Sequence, residues 1–183
     1  MSALREEYAP PSTNFSTAVR ENIYGAQSFL TTSIYYLTSF KVRMAKSGTP
    51  GGNFIGSIRA VGGDGKVTGP DLASGSIPVS GIITGLNEIT METPLLITND
   101  TLYALVFGGP SGDSNNYVGV RGFNPGGYGN GRAQVSTDYG ATWTLYATDY
   151  EFQVWGEGLG QPYIIRGQHI PGMRTCAGNT GGN

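Results

Sequence analysis

Histidine and cysteine are nearly absent: 183 residues carry one of each, His169 and Cys176. A lone cysteine forms no intrachain disulfide, so the fold cannot depend on one. One histidine and one cysteine also exclude zinc sites built from several such ligands. His169 lies between Gln168 and Ile170 without a recognisable serine or carboxylate partner, and is read as non-catalytic. Charge is scarce as well, at 13% of residues with a net −2. Without a positive excess the chain has little with which to neutralise a phosphate backbone, so nucleic acid is not an expected partner. No segment approaches the roughly 18 apolar residues of a spanning helix. Met1 to Pro11 carries Arg5, Glu6 and Glu7 in place of an apolar signal core. The expectation is a chain made without membrane insertion or export by the general route.

What is abundant is turn material. Thirty glycines, ten prolines and many Ser, Thr and Asn residues suit many short strands joined by tight turns, and give helices little to work with. Residues 1–22 read as an arm, with a short helical turn around Leu4–Tyr8 followed by Pro10-Pro11 and a Ser/Thr/Asn stretch. Strand-like alternation begins at Tyr24. In the segment Tyr36–Ala45, Phe40, Val42 and Met44 alternate with Lys41 and Arg43. Phe54–Ala60, Leu72–Ile77, Leu86–Glu92, Leu102–Phe107, Tyr117–Arg121, Arg132–Ser136, Thr142–Tyr146 and Tyr150–Trp155 follow, separated by Gly, Pro, Asn and Asp. About ten short strands at this cadence predict an all-β antiparallel sandwich. The domain expected is residues 23–156, flanked by arms at 1–22 and 157–183.

Ser136-Thr137-Asp138-Tyr139-Gly140-Ala141-Thr142-Trp143 fits the Asp-box pattern, Ser-x-Asp-x-Gly-x-x-Trp, known from sialidase-like propellers. A propeller repeats its blades, and one copy in this length cannot close one. The octet therefore predicts a structural hairpin. Asp138 accepts backbone N–H bonds, Gly140 supplies a positive φ, Trp143 covers the turn and Ser136 opens it.

Chemical motifs are few. Gly62-Gly63-Asp64-Gly65-Lys66-Val67 is no phosphate loop, since Val67 replaces the metal-binding hydroxyl and Ala60 the first glycine. Asp64 and Asp71 are weighed as oxygen ligands for Ca²⁺ against ordinary turn hydrogen bonds; the latter is preferred, and no metal or cofactor is expected. Asp149 and Glu151 are the one acid pair considered for glycosidase chemistry, and are expected on the wet face opposite Tyr150, Phe152 and Val154. The candidate recognition surface is the loop from Arg121 to Gly131. There Phe123 and Tyr128 are candidates to stack on a sugar, with Arg121, Asn124 and Asn130 as hydrogen-bonding partners, unless the rings instead pack over the end of the sandwich. Asp113–Tyr117 is a second polar loop.

The succession Ala26-Gln27-Ser28-Phe29, Leu37-Thr38-Ser39-Phe40, Ser57-Ile58-Arg59-Ala60, Gly69-Pro70-Asp71-Leu72-Ala73-Ser74-Gly75, Leu102-Tyr103-Ala104-Leu105-Val106 and Phe152-Gln153-Val154-Trp155-Gly156, with the Asp box, resembles the jelly-roll modules termed choice-of-anchor domains. These recur in phage structural and bacterial surface proteins. The resemblance covers roughly Tyr24 to Gly156. It implies an antiparallel jelly roll used for display, adhesion or carbohydrate binding, and no catalytic residue carries over with it. Without a recognisable export signal or anchor, the expected role is a non-enzymatic virion protein, a capsid-decoration or tail-appendage subunit at the virion surface. The alternative is a soluble carbohydrate-binding module. The partners expected for the chain as a virion protein are other copies of itself, other virion proteins and cell-surface glycans. The arms, through Leu4, Tyr8 and Phe15 on one side and Tyr163, Ile164 and Ile165 on the other, are expected to latch neighbouring subunits by strand addition.

Overall fold

In a computed structural model that describes residues 1–160, nearly every element is an antiparallel strand and two sheets pack face to face as a β-sandwich. In chain order the strands are β1 (Ala3–Tyr8), β2 (Phe15–Val19), β3 (Tyr24–Leu30), β4 (Tyr35–Ser47), β5 (Asn53–Val61) and β6 (Val67–Pro78). After a single 3-10 turn at Val79–Gly81 come β7 (Gly85–Ile97), β8 (Leu102–Gly108), β9 (Tyr117–Phe123), β10 (Ala133–Ser136), β11 (Thr144–Leu145), β12 (Asp149–Tyr150) and β13 (Phe152–Glu157). One sheet has seven strands in the order β1-β13-β4-β9-β12, with β2 on β9 and β7 on β4. The other has six, in the order β11-β10-β3-β8-β5-β6.

The inner faces follow the period-2 pattern of the sequence. Phe40, Val42 and Met44 from β4 meet Phe54 and Ile58 from β5, Leu105 and Phe107 from β8, and Tyr150, Phe152 and Val154 from the closing strands, all essentially inaccessible to water. Their rings interlock, with Phe107 edge-on to Tyr150 at 5.1 Å between centroids. At Gly56 the sheets come too close for any side chain. A Cβ there would stand 2.5 Å from the Phe40 ring.

The amino-terminal segment is not an arm. Leu4–Tyr8 is strand rather than helical turn: β1 pairs along β13 from Ala3↔Gly156 to Tyr8↔Phe152, and β2 pairs along β9 from Phe15↔Gly122 to Val19↔Val118. The charges that make the segment look solvated act as its fasteners. Arg5 Nε donates to the Gly156 carbonyl (3.1 Å), and Glu6 Oε1 accepts both the Thr32 amide (3.1 Å) and hydroxyl (2.9 Å). Val19 is fully buried, while Tyr8 and Phe15 pack against the core. The sandwich therefore runs from Ala3 to Glu157 rather than from residue 23. Tyr163, Ile164, Ile165, His169 and Cys176 lie outside the described residues.

Asp149 and Glu151, expected on the wet face, are also placed differently, with relative exposures of 3% and 7%. They occupy a fork in the seven-stranded sheet, where the chain leaves β9 and passes to β4. The Glu151 amide donates to the Arg121 carbonyl, and its own carbonyl accepts the Arg43 amide. Its carboxylate takes a two-pronged bond from the Arg43 guanidinium. Asp149 turns toward the other sheet, where Gln27 Nε2 donates to its Oδ1 (3.0 Å) while Gln27 Oε1 accepts the Tyr150 amide (2.8 Å). Of two acids spaced for one face, Asp149 thus serves as an internal cross-link to the other sheet while Glu151 pairs with the partly exposed Arg43, because a fork frees backbone and side-chain groups that must be satisfied.

Candidate functional site

The Asp box forms the turn its sequence predicts. Ser136 Oγ donates to Asp138 Oδ1 (2.7 Å) and accepts the Gly140 amide (2.8 Å). Asp138 Oδ1 accepts the amides of Ala141 (3.1 Å) and Thr142 (2.9 Å), and Oδ2 the Thr142 hydroxyl (2.7 Å). Gly140 has φ +81°, where a side chain would be strained. These bonds, led by the Thr142 hydroxyl, draw the Asp138 carboxyl from its ordinary 3.8 down to about 2. A carboxyl held lower in the folded than in the unfolded chain contributes stability above the ordinary value, and that contribution is lost as pH falls toward the folded one. The thermal midpoint of Asp138→Asn is accordingly expected to lie below that of the parent at neutral pH and to converge on it between pH 3.8 and about 2, read by calorimetry. Asp149, raised by burial, changes in both proteins alike and cancels from the difference.

Trp143 folds from this turn onto the outer face of the six-stranded sheet. It is 5% exposed and, with Ala26, Ala104, Val106 and Val67, makes a second small core outside the sandwich. Arg59 on β5 ties the turn down, donating from Nη1 to the Gly140 carbonyl (3.1 Å) and from Nε to Asp71 Oδ1 (2.6 Å). Asp71 also accepts the Ser57 hydroxyl (2.7 Å), whereas Asp64 caps its own turn through the Lys66 amide (3.1 Å). The two carboxylates considered for Ca²⁺ are thus engaged separately, and among the described residues no group of three His, Cys, Asp or Glu converges as a metal site.

The Arg121–Gly131 loop divides. Tyr128 points inward, its ring edge-on to Phe152 at 5.2 Å and tilted against Tyr8 at 5.9 Å. Its amide donates to Asp149 Oδ2 (3.0 Å), which draws the glycine-rich loop down over the end of the sandwich, and burial pushes its hydroxyl up to about 12. It is not presented for stacking. Phe123 is half-buried on β9, and the Asn124 backbone is bracketed by the Asn14 side chain, at 2.7 Å to its amide and 2.9 Å to its carbonyl. Arg121 is exposed opposite Ser16. Of the loop's five candidate side chains, Asn130 alone lines a cleft, of about 390 Å³, together with Asp64, Arg132, Ser28 and the apolar Leu30 and Leu102. The second polar loop spends itself internally, Asp113 Oδ1 accepting the amides of Asn115 (2.7 Å) and Asn116 (3.0 Å).

A second concavity, of about 140 Å³, lies where the Asp-box turn meets the outer face of the six-stranded sheet. Its walls include Tyr24, Tyr139, Arg59 and Asp71. None of these was singled out by sequence as a recognition residue. The signal available was the variable position of the Asp box: Tyr139 occupies a slot the turn does not use for bonding, at the tip of a fixed loop. On the opposite sheet the alternation that buries Phe152 and Val154 turns Trp155 outward, with Lys41 Nζ over its ring at 4.9 Å.

Fold and surface together define an all-β sandwich whose one Asp-box hairpin is packed on the outside of a sheet. No family model and no curated protein matches the chain.

Proposed function

We propose that this protein is a non-enzymatic structural subunit of a virion, a capsid-decoration or tail-appendage protein that carries the sandwich at the particle surface and assembles with copies of itself and with other virion proteins. The observation that carries the reading is the fate of the reactive side chains. Asp149 and Glu151, the one acid pair considered for chemistry, are spent on Gln27 and the Tyr128 amide and on Arg43, and Asp138 on the Asp-box turn. A glycosidase needs two acids facing each other across a cleft. A display scaffold needs the opposite, with polar groups consumed in holding shape. The resemblance over Tyr24 to Gly156 points the same way. For assembly, β1 offers an edge at the border of the seven-stranded sheet, with Leu4 39% exposed upon it.

Light scattering on the full chain beside a chain ending at Gly160 tests the reading. An oligomer that falls to monomer on removal of residues 161–183 supports a subunit latched by its tail. A monomer in both cases, at the concentrations of an assembling particle, removes the assembly claim. Turnover of any glycoside substrate that is lost in Asp149→Asn would overturn the non-enzymatic one.

A further inference from the structure

The small crevice under the Asp-box turn is explained neither by the fold nor by assembly. We propose that it binds one ring of a neutral sugar, whose apolar face lies against Tyr139 and whose adjacent hydroxyls engage Asp71 and Arg59. The inference stands apart from the assembly reading and does not require it.

Three observations converge. First, Tyr139 is 67% exposed, on backbone fixed by its amide bond to the Asn22 carbonyl (3.0 Å) and held at φ +61°. A large ring on a rigid tip provides contact area at little cost in conformational freedom, and here the fold uses the residues around the ring but not the ring itself. The facing wall is Tyr24, whose ring lies against Gly108 so closely that a Cβ there would sit 2.5 Å from it. Secondly, the polar groups are half used. Asp71 Oδ1 is taken by Ser57 and Arg59, and Arg59 Nε and Nη1 by Asp71 and the Gly140 carbonyl. Asp71 Oδ2 and Arg59 Nη2 have no hydrogen bond among the described residues. A neighbouring acceptor and donor complement a vicinal diol, each hydroxyl of which both gives and receives. Thirdly, the pair is an ion pair, so its charges cancel and the crevice offers no net charge to a carboxylated sugar or a phosphate. At about 140 Å³ the space admits a ring rather than an extended ligand, since sites for drug-sized ligands run to about 300 Å³ and more.

The test is a glycan array of neutral and sialylated structures probed with the full-length protein, followed by saturation-transfer NMR with free galactose, glucose, mannose and N-acetylneuraminic acid. Neutral hexose is expected to bind, weakly as a free sugar and more strongly when displayed in many copies. Tyr139→Ala and Asp71→Asn should each weaken binding about tenfold, the equivalent of losing one good contact. Tyr139→Phe should retain it, and Arg132→Ala, in the other cleft, should leave it unchanged. Melting curves confirm that each variant is folded, and Tyr139→Ala, exposed as it is, does not depend on that control. Signal from sialylated glycans alone, equal binding by Tyr139→Ala, loss on Arg132→Ala, or no neutral sugar bound at all would each overturn the site. A blank array from a chain that still oligomerises rejects the sugar site and leaves the assembly reading standing.

Discussion

Deleting residues 1–22 is expected to abolish the cooperative unfolding transition and leave an insoluble or molten chain. The segment forms one edge of the seven-stranded sheet and the outer neighbour of β9, so its removal uncovers two strands at once. Val19 is completely buried and Phe15 packs on Tyr150 with ring centroids 5.5 Å apart. Full burial of a side chain of this kind stabilises by about 1.5–3 kcal/mol. Thr17 also hydrogen-bonds the inaccessible Tyr150 hydroxyl, which would be stranded without it. Together with the lost ladders, the deletion removes more than about 5 kcal/mol from a domain whose total is of order 5–15 kcal/mol. Calorimetry and near-ultraviolet circular dichroism decide the matter. A truncated chain that melts cooperatively within a few degrees of the parent would return the segment to the status of an arm.

Trp143→Ala should produce the largest loss of any single substitution in the Asp box, about 3–5 kcal/mol, the usual cost of truncating a buried aromatic. For a chain of this size that lowers the thermal midpoint by roughly 10 °C. The reason lies in what the indole covers. Ala26, Ala104, Val106 and Val67 face away from the main core, and Trp143 is the large ring that keeps water from them. The substitution also loosens the turn that positions Tyr139, so binding in the adjacent crevice should weaken with stability. Were the tryptophan only an ornament of the turn, the loss would stay below about 1 kcal/mol.

The interior strands were legible because Phe40-Val42-Met44 and Phe152-Val154 alternate cleanly, and the Asp box because its Ser, Asp, Gly and Trp each have a local task. The first strands were not. Arg5, Glu6 and Glu7 interrupt any apolar alternation, and Pro10-Pro11 separates two segments too short to read alone; their partners, β13 and β9, are far away in sequence. Asp149 and Glu151 misled for a related reason. Their spacing is right for one wet face, but β12 ends at Tyr150 and β13 begins at Phe152, and the fork between them turns Asp149 to Gln27 in the interior and covers Glu151 with the partly exposed Arg43. In the Arg121–Gly131 loop, the glycines suit a Tyr128 packed over the end of the sandwich somewhat better than a displayed one, without excluding the latter. The buried Asp149 carboxylate beneath the loop decides between them.

The pairing of Ala3 with Gly156 has a kinetic consequence. One edge of the seven-stranded sheet cannot close until Phe152–Glu157 has emerged from the ribosome, so β1 must wait for a neighbour made after every other strand of the sandwich. Folding is then dominated by encounters between distant parts of the chain, which places it among the slow, millisecond-to-second folders typical of sandwiches. The same adjacency means that a linker could join Glu157 directly to Ala3 and new termini could be opened at the exposed Gly63–Asp64 hairpin without breaking a strand pair. Such a rearranged chain would synthesise β1 and β13 side by side, and its faster closure would measure how long the natural order makes the first strand wait.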